Sequence, residues 1–335
     1  MKKLLSALII TLGAALALLP LSPVMAATNT PAQANNTAGQ ALEISPPLLT
    51  LNASPGQVVR TQISLRDVSS SDLIVKGQVN DFVAAGEDGT PKILFNENQA
   101  SPFSIKTWVT NLPQLLMKPR EIRSLPVTIH VPANASPGGH YGVIRFTATA
   151  PDLSGSGVSL SASLGTLVLL TISGNTKEQL SFASFTAENG GKAHALFEGT
   201  PINFVTRLKN TGNVQEQPVG QIIVKDMFGK TIGGQNVNLE QRYVLPDSIR
   251  RFESPFDSSV IGNKRLFGHY TATLTVKYGN ATRLTLTAKK SFWVIPYRLI
   301  LGIIIVLIVG FFVLRYSLRS YNQRVISRAQ NRRRR

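Results

Sequence analysis

The sequence contains no cysteine among its 335 residues, so disulfides, thiolate metal sites and thiol nucleophiles are excluded together. Without disulfides, each folded domain needs a hydrophobic core large enough to stabilise it. Histidine is also scarce, with four residues, and the sequence has no HExxH, GxSxG or phosphate-loop motif. We therefore expect a protein that is not an enzyme and that has no cofactor or metal site.

Acidic residues are few beside the basic ones, 18 against 35, and the formal net charge is +17. Most of the excess lies at the C-terminus, because residues 315–335 hold eight arginines and no acid, whereas residues 27–297 hold 24 basic and 18 acidic side chains. An Arg-rich terminus can bind nucleic acid, but next to a membrane each cation favours anionic lipid by about 1 kcal/mol. We expect membrane lipid, and no nucleic acid, as the partner of this tail.

One stretch, residues 292–314, is almost free of polar side chains. As a helix it is about 34 Å long, enough to cross a hydrocarbon core of about 30 Å. The arginines of residues 315–335 predict a cytoplasmic tail, so the chain before the span is predicted to lie outside the cell membrane. The alternative for the apolar stretch is a buried core helix.

Five residues at the ends of this stretch are predicted to lie at the membrane interface. Aromatic rings and long cationic side chains favour the headgroup layer, where an apolar part and a polar part are both accommodated. The outer set is Trp293, Tyr297 and Arg298, and the inner set is Arg315 and Tyr316.

The N-terminus has the pattern of a secretory signal. Two lysines precede an apolar run, and small residues before position 27 predict cleavage of residues 1–26. An uncleaved N-terminal anchor is the alternative, and it exports the chain as well. Residues 27–41 are rich in Thr, Asn, Gln and Ala and predict a disordered leader.

The exported part alternates apolar and polar residues with a period of two, which indicates strands with one buried face. Gly, Pro and Asn separate these short stretches, and no amphipathic helix interrupts them. The predicted fold class is all-β: two tandem immunoglobulin-like β-sandwich domains, residues 42–176 and 177–291, followed by one transmembrane helix. The clearest predicted strands cover residues 59–65, 73–79, 92–95, 104–109, 124–131, 141–148, 158–172, 202–208, 220–225, 237–239, 268–278 and 283–287.

Two short motifs recur in the same order. The sequence Gly-His-Tyr at residues 139–141 returns at 268–270, an offset of 129, and Pro-x-x-Ile-Arg at 119–123 returns at 246–250, an offset of 127. An ordered pair of matches at nearly one offset predicts a duplicated domain or a shared fold.

These motifs carry a family resemblance. The sequences SLPVTIHVP (124–132), SPGGHYGVIRFTA (136–148) and RLKNTGN (207–213) resemble the two exported domains of the WxL-interacting proteins of Gram-positive surfaces. The resemblance covers residues 42–335, although pilus chaperones share such strand and turn patterns. It implies peptidoglycan binding by the first domain and binding of a host or partner protein by the second. No WxL tripeptide occurs in this chain.

Few residues stand out as ligand-binding candidates. Trp108, Tyr141 and Tyr270 are candidate ligand-facing aromatics, with core packing as the alternative. Asp81, Glu87, Asp88 and Glu97 surround a Gly-rich turn and could hold calcium, although Asp88-Gly89 is already explained by a hairpin turn.

The sequence leaves two functional hypotheses open. In the first, a membrane-anchored surface protein binds cell-wall peptidoglycan, a surface protein partner, or both. In the second, the chain is an assembly, chaperone-like or signalling component whose exported domains bind a secreted subunit by adding a β-strand at an open sheet edge.

Overall fold

The computed structural model describes residues 42–96, 99, 101–110, 112–149, 162–262, 264–280 and 283–333, and of residue 162 and residues 320–333 only the backbone. The predicted signal peptide (1–26), the predicted leader (27–41) and Glu97 lie outside the described residues. The described chain is mostly strand and belongs to one compact unit by its internal contacts.

The first ten strands form two facing sheets, which we call the N-terminal sheet pair. They are β1 (Leu42–Ser45), β2 (Leu48–Ala53), β3 (Val58–Asp67), β4 (Leu73–Ala85), β5 (Thr90–Leu94), β6 (Val109–Thr110), β7 (Leu115–Met117), β8 (Ile122–His130), β9 (Gly138–Thr149) and β10 (Ala162–Ile172). The strand order is β1-β3-β8-β6 in one sheet and β2-β10-β9-β4-β5 in the other, with β7 also paired to β4. Strands β2 and β10 are parallel.

The remaining strands form the C-terminal sheet pair. They are β11 (Leu180–Asn189), β12 (Lys192–Ala193), β13 (Leu196–Phe197), β14 (Ile202–Asn210), β15 (Val219–Asp226), β16 (Thr231–Val237), β17 (Ile249–Phe256), β18 (Gly268–Tyr278) and β19 (Leu284–Val294). Their order is β12-β11-β14-β17 in one sheet and β13-β19-β18-β15-β16 in the other, and β13 is parallel to β19. A four-residue helix, α1 (Ser258–Ile261), follows β17.

The two sheet pairs share their strand order, in agreement with the predicted repeat. Strands β3, β8, β9 and β10 occupy the positions of β14, β17, β18 and β19. The turns before β8 and β17 also correspond: Arg120 and Asp247 both have positive φ, 63° and 56°, each directly after a proline. A proline followed by a residue with positive φ is the arrangement of a type II turn.

The Gly-His-Tyr match, in contrast, is one residue out of structural register. Gly138 and Gly268 both begin their strands and pair with the last residues of β10 and β19. His140 therefore corresponds to Tyr270. The equivalent strand positions are 130 residues apart, not 129 as in the sequence match. Because side chains alternate between faces, this shift places Tyr141 on the outer face of its sheet and Tyr270 inside its sandwich.

Each sheet pair encloses its own apolar core. Side chains from both sheets meet in it, as the alternating strands predict. The N-terminal core includes Ile63, Ile129, Ile144, Phe146 and Leu170, and the C-terminal core includes Phe204, Leu208, Leu274, Phe256 and Phe292.

Most of the predicted strands are found, but two are wrong. The strand predicted at 237–239 lies earlier in the chain, since β16 ends at Val237, and the one predicted at 104–109 is largely a loop. Only Val109–Thr110 is a strand there, and residues 106–108 form a turn. The buried Asp81 carboxylate accepts hydrogen bonds from the Ser101 N–H (3.0 Å) and the Ser104 hydroxyl (2.6 Å). The hydroxyls of Ser101 and Ser104 also accept from the N–H groups two residues on, Phe103 (3.2 Å) and Lys106 (3.1 Å). Such local side-chain bonds compete with a ladder and favour a loop.

The apolar helix begins later than predicted. Helix α2 (Tyr297–Arg333) starts five residues after the expected position 292, because Phe292 and Trp293 belong to β19. Phe292 is 1% exposed and stacks with Tyr270 in the C-terminal core, which is why its apolar side chain does not indicate a membrane helix. The predicted limit of the second domain at 291 likewise falls inside β19. The part Tyr297–Arg319 is long and apolar enough to cross a membrane and is not buried.

Candidate binding grooves

The outer-face residue Tyr141 lies in the junction between the two sheet pairs. Its ring packs near Phe82 and Phe103, with ring centroids 6.3 and 5.8 Å away, and Tyr243 and Leu245 of the C-terminal pair border the same cluster. Its hydroxyl donates to Gln215 Oε1 at 3.1 Å. Burial raises the pKa of Tyr141 well above its ordinary value. At 2% exposure the side chain stabilises the junction and does not face a ligand.

Gly139 explains how the tyrosine hydroxyl fits there. A Cβ at this position would overlap the Tyr141 hydroxyl and approach Gln215 Oε1 to 2.9 Å. The Gly139 N–H also donates to the carbonyl of Asn213 at 2.7 Å, which ties β9 directly to the second sheet pair. Glycine is needed because backbone and side chain meet closely.

The hairpin of β4 and β5 reaches across to the second sheet pair, with a turn at Asp88-Gly89 as predicted. Both carboxylate oxygens of Glu87 bind Arg207, one of them at 2.7 Å from Arg207 Nε, and the Glu87 carbonyl accepts from the Arg251 N–H at 2.7 Å. The hydrogen bond from Arg207 lowers the pKa of Glu87. A bidentate pair fixes the orientation of the hairpin as well as its position.

These partners show that Asp81, Glu87 and Asp88, the described members of the predicted calcium set, do not converge. Asp81 binds the loop at Ser101, whereas Glu87 binds Arg207, and Asp88 accepts from Thr90 within the hairpin turn. No group of three potential metal-binding side chains exists among the residues that the structure describes.

A buried carboxyl group, Glu216, lies next to the junction. It is fully buried, and its Oε2 accepts from the Gly279 N–H at 3.0 Å. Burial, together with the nearby charge of Glu178, raises the pKa of Glu216 to about 7. Its protonation therefore changes near neutral pH.

The other two aromatic candidates are also structural. Tyr270 is 5% exposed, and its hydroxyl accepts from the Phe267 N–H at 3.0 Å. Trp108 is half-buried against the N-terminal core, with its ring 4.6 Å from that of His140. The fold does not bring Trp108, Tyr141 and Tyr270 together, so the prediction of ligand-facing aromatics is wrong for the two buried tyrosines.

A groove of about 930 Å³ opens where the β4–β5 hairpin meets the edges of β16 and β17. Most of the residues that line it have polar side chains, and these carry both signs of charge. The side chains include Glu87, Gln235, Asn236, Arg242, Arg251 and Glu253.

A smaller groove of about 470 Å³ lies between β1 and β10. Its apolar lining is Leu42, Ile44, Ile122 and Leu164, and an exposed ion pair between Arg66 and Glu43 (3.4 Å) stands at its rim. We call it the edge groove. Ile122 is 67% exposed, which is unusual for an isoleucine at the start of a strand in a two-sheet fold.

The edge groove exists because the chain changes sheets. After β1, Pro46 and Pro47 lead the chain from the first sheet to the second, where Thr166 donates to the Pro46 carbonyl at 2.8 Å and the Leu167 N–H to that of Pro47 at 2.9 Å. Strand β2 then pairs only with residues 167–172 of β10. Since backbone groups of alternate residues point to the same side, Ser163 and Gly165 direct theirs to the side that β2 leaves unpaired.

The equivalent edge of the C-terminal sheet pair is different. Strand β13 covers only Trp293 and Val294 of β19, so most of this edge is unpaired as well. The stretch of β19 that corresponds to residues 162–166 of β10 is residues 284–288, and both stretches are uncharged. However, Lys289 and Lys290 follow directly on the same edge of β19, and lysines on an edge oppose pairing with another chain. In β10 the residues that follow are paired with β2. The N-terminal edge is therefore the better strand acceptor.

The predicted interface residues lie around the start of α2 and along it. Trp293 and Tyr297 are each 47% exposed, and the Arg298 guanidinium is 3.2 Å from the Glu198 carboxylate. Arg315 and Tyr316 lie within the continuous helix, and Tyr316 is 77% exposed.

No protein-family model and no curated protein matches the sequence. Among solved structures, the chain is similar to the YadV chaperone (10% identity, 75% of this chain and 100% of that one, TM-score 0.36). It is also similar to the class 5 fimbriae chaperone CfaA (14%, 74% and 98%, 0.39) and to the Salmonella enterica SafB chaperone in complex with SafA pilin (10%, 74% and 96%, 0.34). TM-scores below 0.4 carry no conclusion about function, and the fold rests on the strand pairing itself.

The edge groove is not evident from the sequence pattern. Strands β1 and β2 are short, and Ile122 stands out in the sequence only as part of a repeated motif. Pro46 and Pro47 are the sequence feature that indicates a change of sheet, because proline cannot donate a hydrogen bond to a strand ladder.

Proposed function

We propose that this chain is a single-pass membrane protein whose two exported β-sandwich domains hold an extended segment of a surface or secreted protein, without catalysing a reaction. In this proposal the chain is an assembly or chaperone-like component, and the partner segment adds a strand to β10 beside the edge groove. Backbone hydrogen bonds would give affinity, and apolar side chains in the groove would give specificity.

The observation that carries the proposal is the stretch of β10, residues 162–166, that pairs with no strand on its β2 side within the described chain and lies next to an apolar groove. On that side the backbone groups of Ser163 and Gly165 would supply donors and acceptors for a strand. Ile44, Ile122 and Leu164, with the buried Leu42 behind them, supply a surface for alternate side chains of that strand, which point to one face. An exposed apolar edge without a charge is avoided in proteins that do not use it.

Helix α2 supports the membrane placement. Its apolar side chains are exposed, as for Val306 at 70% and Leu307 at 66%, which a water-soluble helix would not tolerate over this length. The arginines of residues 315–335 favour a cytoplasmic C-terminus. Protease added to intact cells should digest the sheet pairs and spare residues 315–335, and loss of the tail instead would contradict this orientation.

Binding of cell-wall peptidoglycan is a second candidate, favoured by the larger groove. Amides and carboxylates such as Gln235, Asn236 and Glu253 are suitable partners for sugar hydroxyls. The aromatic side chain in this groove, Phe252, is only 6% exposed, so a stacking surface for a sugar ring is missing among the described lining residues.

Photo-crosslinking in living cells tests the main proposal. A photoreactive residue at Ile122 should yield an adduct with an exported protein, and the crosslinked peptide should come from an extended segment. The same residue at Val219, which is 51% exposed but outside the groove, is the matched control and should yield none. If the resemblance to the WxL-interacting proteins holds, a WxL-domain protein is the first partner to look for.

Two further variants distinguish strand addition from nonspecific apolar binding. Ser163→Pro removes one N–H from the side of β10 that faces the groove and should reduce the adduct several-fold, because one lost backbone hydrogen bond is worth about 1 kcal/mol. Ser163→Ala loses the same side-chain contacts and should retain the adduct. Equal adducts from both variants would exclude strand addition, and binding of the chain to purified peptidoglycan without any protein adduct would favour the second candidate.

A further inference from the structure

Exposed aromatic side chains are concentrated at one end of the C-terminal sheet pair. Among the described residues before α2, four Phe or Trp side chains are strongly exposed, and three of them, Phe228 (88%), Phe267 (66%) and Trp293 (47%), lie at this end. The fourth, Phe95, belongs to the N-terminal sheet pair and forms a cation–π contact with Arg145, whose guanidinium is 5.1 Å from the ring centroid. A cluster of this kind marks an interaction surface.

Strand pairing shows that these residues share one end. Asp226, the last residue of β15, pairs with Tyr270 near the start of β18, and Val294 at the end of β19 pairs with Gly268. Met227, which is 53% exposed, lies so close to Gly268 that a Cβ there would be 2.7 Å from the Met227 methyl carbon. We call Met227, Phe228, Phe267 and Trp293 the apolar rim.

The two loops of the apolar rim are held in place by side-chain hydrogen bonds. Asp226 Oδ1 accepts from the N–H groups of Phe228 and Lys230, both at 2.9 Å. The Tyr270 hydroxyl accepts from the Phe267 N–H at 3.0 Å and donates to the Phe267 carbonyl at 3.2 Å. The phenyl rings are therefore presented on ordered loops, which lowers the entropy lost when they bind a surface.

The chain leaves this same end to form the apolar helix. Only Ile295 and Pro296 separate β19 from α2, so the rim lies next to the first turn of the helix. Exposed cations, Lys230, Lys264 and Arg265, flank the two rim loops in the sequence. Aromatic rings together with Lys and Arg are the composition of proteins that rest in the headgroup layer.

We propose that the apolar rim rests in the outer headgroup layer of the same bilayer that α2 crosses, so that the C-terminal sheet pair stands directly on the lipid. The occupant of this surface is lipid, because the helix brings the rim to the membrane whenever it is inserted. The inference rests on the membrane placement in the proposed function.

The experiment uses the full chain reconstituted in vesicles of phosphatidylcholine and phosphatidylglycerol. Because the sequence has no cysteine, Phe228→Cys carries a single environment-sensitive fluorophore. Lys277→Cys, exposed near the far end of β18 and about 30 Å along the strand, is the matched control. Lipids with a nitroxide on the upper acyl chain should quench the label at 228 several-fold more than the label at 277.

A second readout avoids the label. In a Trp108→Phe variant, Trp293 is the only tryptophan, and brominated lipid should quench its emission; Phe228→Ser together with Phe267→Ser should reduce this quenching. Equal and weak quenching at 228 and 277, in a chain that resists alkaline extraction, would overturn the rim alone. A chain that alkaline carbonate extracts from the vesicles would overturn the membrane anchor and the rim with it.

Discussion

The N-terminal and C-terminal sheet pairs have one strand order but use their surfaces differently. In the N-terminal pair, the outer face around Tyr141 is buried against the other pair, and the edge beside β10 is open and uncharged. In the C-terminal pair, the corresponding edge carries Lys289 and Lys290, and the apolar exposure lies at the end that leads into α2. The comparison teaches that a shared topology fixes the cores and leaves edges, faces and loop ends free for separate roles.

The largest expected effect comes from creating a cavity in either core. This change tests whether the two sheet pairs unfold independently. Phe146 and Phe204 are both fully buried, one in each core, and Phe146→Ala or Phe204→Ala should each lower the free energy of unfolding by about 3–5 kcal/mol. The junction joins the pairs through the Tyr141 cluster and the Glu87–Arg207 ion pair. We therefore expect either variant to shift the unfolding transitions of both sheet pairs.

Urea unfolding in detergent checks this, with Trp108 reporting on the N-terminal pair and Trp293 on the C-terminal pair in single-tryptophan variants. Coincident transitions indicate one cooperative unit. If Phe146→Ala shifts only the Trp108 transition, the two pairs are independent domains.

An effect of intermediate size concerns Glu216 of the C-terminal sheet pair. The folded-state pKa of about 7 lies above the ordinary value of 4.5, so the folded protein binds the extra proton and loses stability as the pH rises from about 4.5 to 7. Glu216→Gln should remove this loss and raise the free energy of unfolding by about 2 kcal/mol at pH 8, with little gain at pH 4.

Denaturation midpoints of both forms across this pH range provide the measurement. Glu253→Gln, an exposed carboxyl group on β17, is the control and should leave the pH dependence as it is. A wild-type protein as stable at pH 8 as at pH 5 would show that Glu216 does not titrate as described.

The smallest effect compares the two equivalent turns. Arg120 and Asp247 both adopt positive φ, which costs most L-residues about 1 kcal/mol, whereas Asp tolerates it better. Arg120→Gly should therefore stabilise the chain by about 0.5 kcal/mol, after the entropy that Gly adds to the unfolded state, and Asp247→Gly should change little. Thermal unfolding of the two variants shows which substitution is more stabilising. A larger increase in stability from Asp247→Gly than from Arg120→Gly would contradict the prediction.

The sequence predicted the cores better than the surfaces. Long strands such as β3, β9 and β18 have a clear period of two because one face is buried, and they were found. Short pieces such as β13 were missed, since their position depends on pairing with β19 and not on their own pattern. Phe292 was assigned to the membrane helix because a buried strand residue and a membrane residue are equally apolar.

The binding surfaces could not be predicted for a related reason. The edge groove requires β1, β8 and β10 to meet, and the apolar rim requires the ends of β15, β18 and β19 to coincide, which the linear pattern does not contain. The aromatic candidates failed because a one-residue difference in register decides whether a tyrosine lies inside a sandwich or outside it.

The two-residue link between β19 and α2 limits how far the exported part can travel. Two extended residues span about 7 Å, so the C-terminal sheet pair stays within that distance of the first turn of α2. Under the membrane placement that we propose, a partner would have to approach the bilayer surface to reach the sheet pairs, because the link is too short to let them extend away from it.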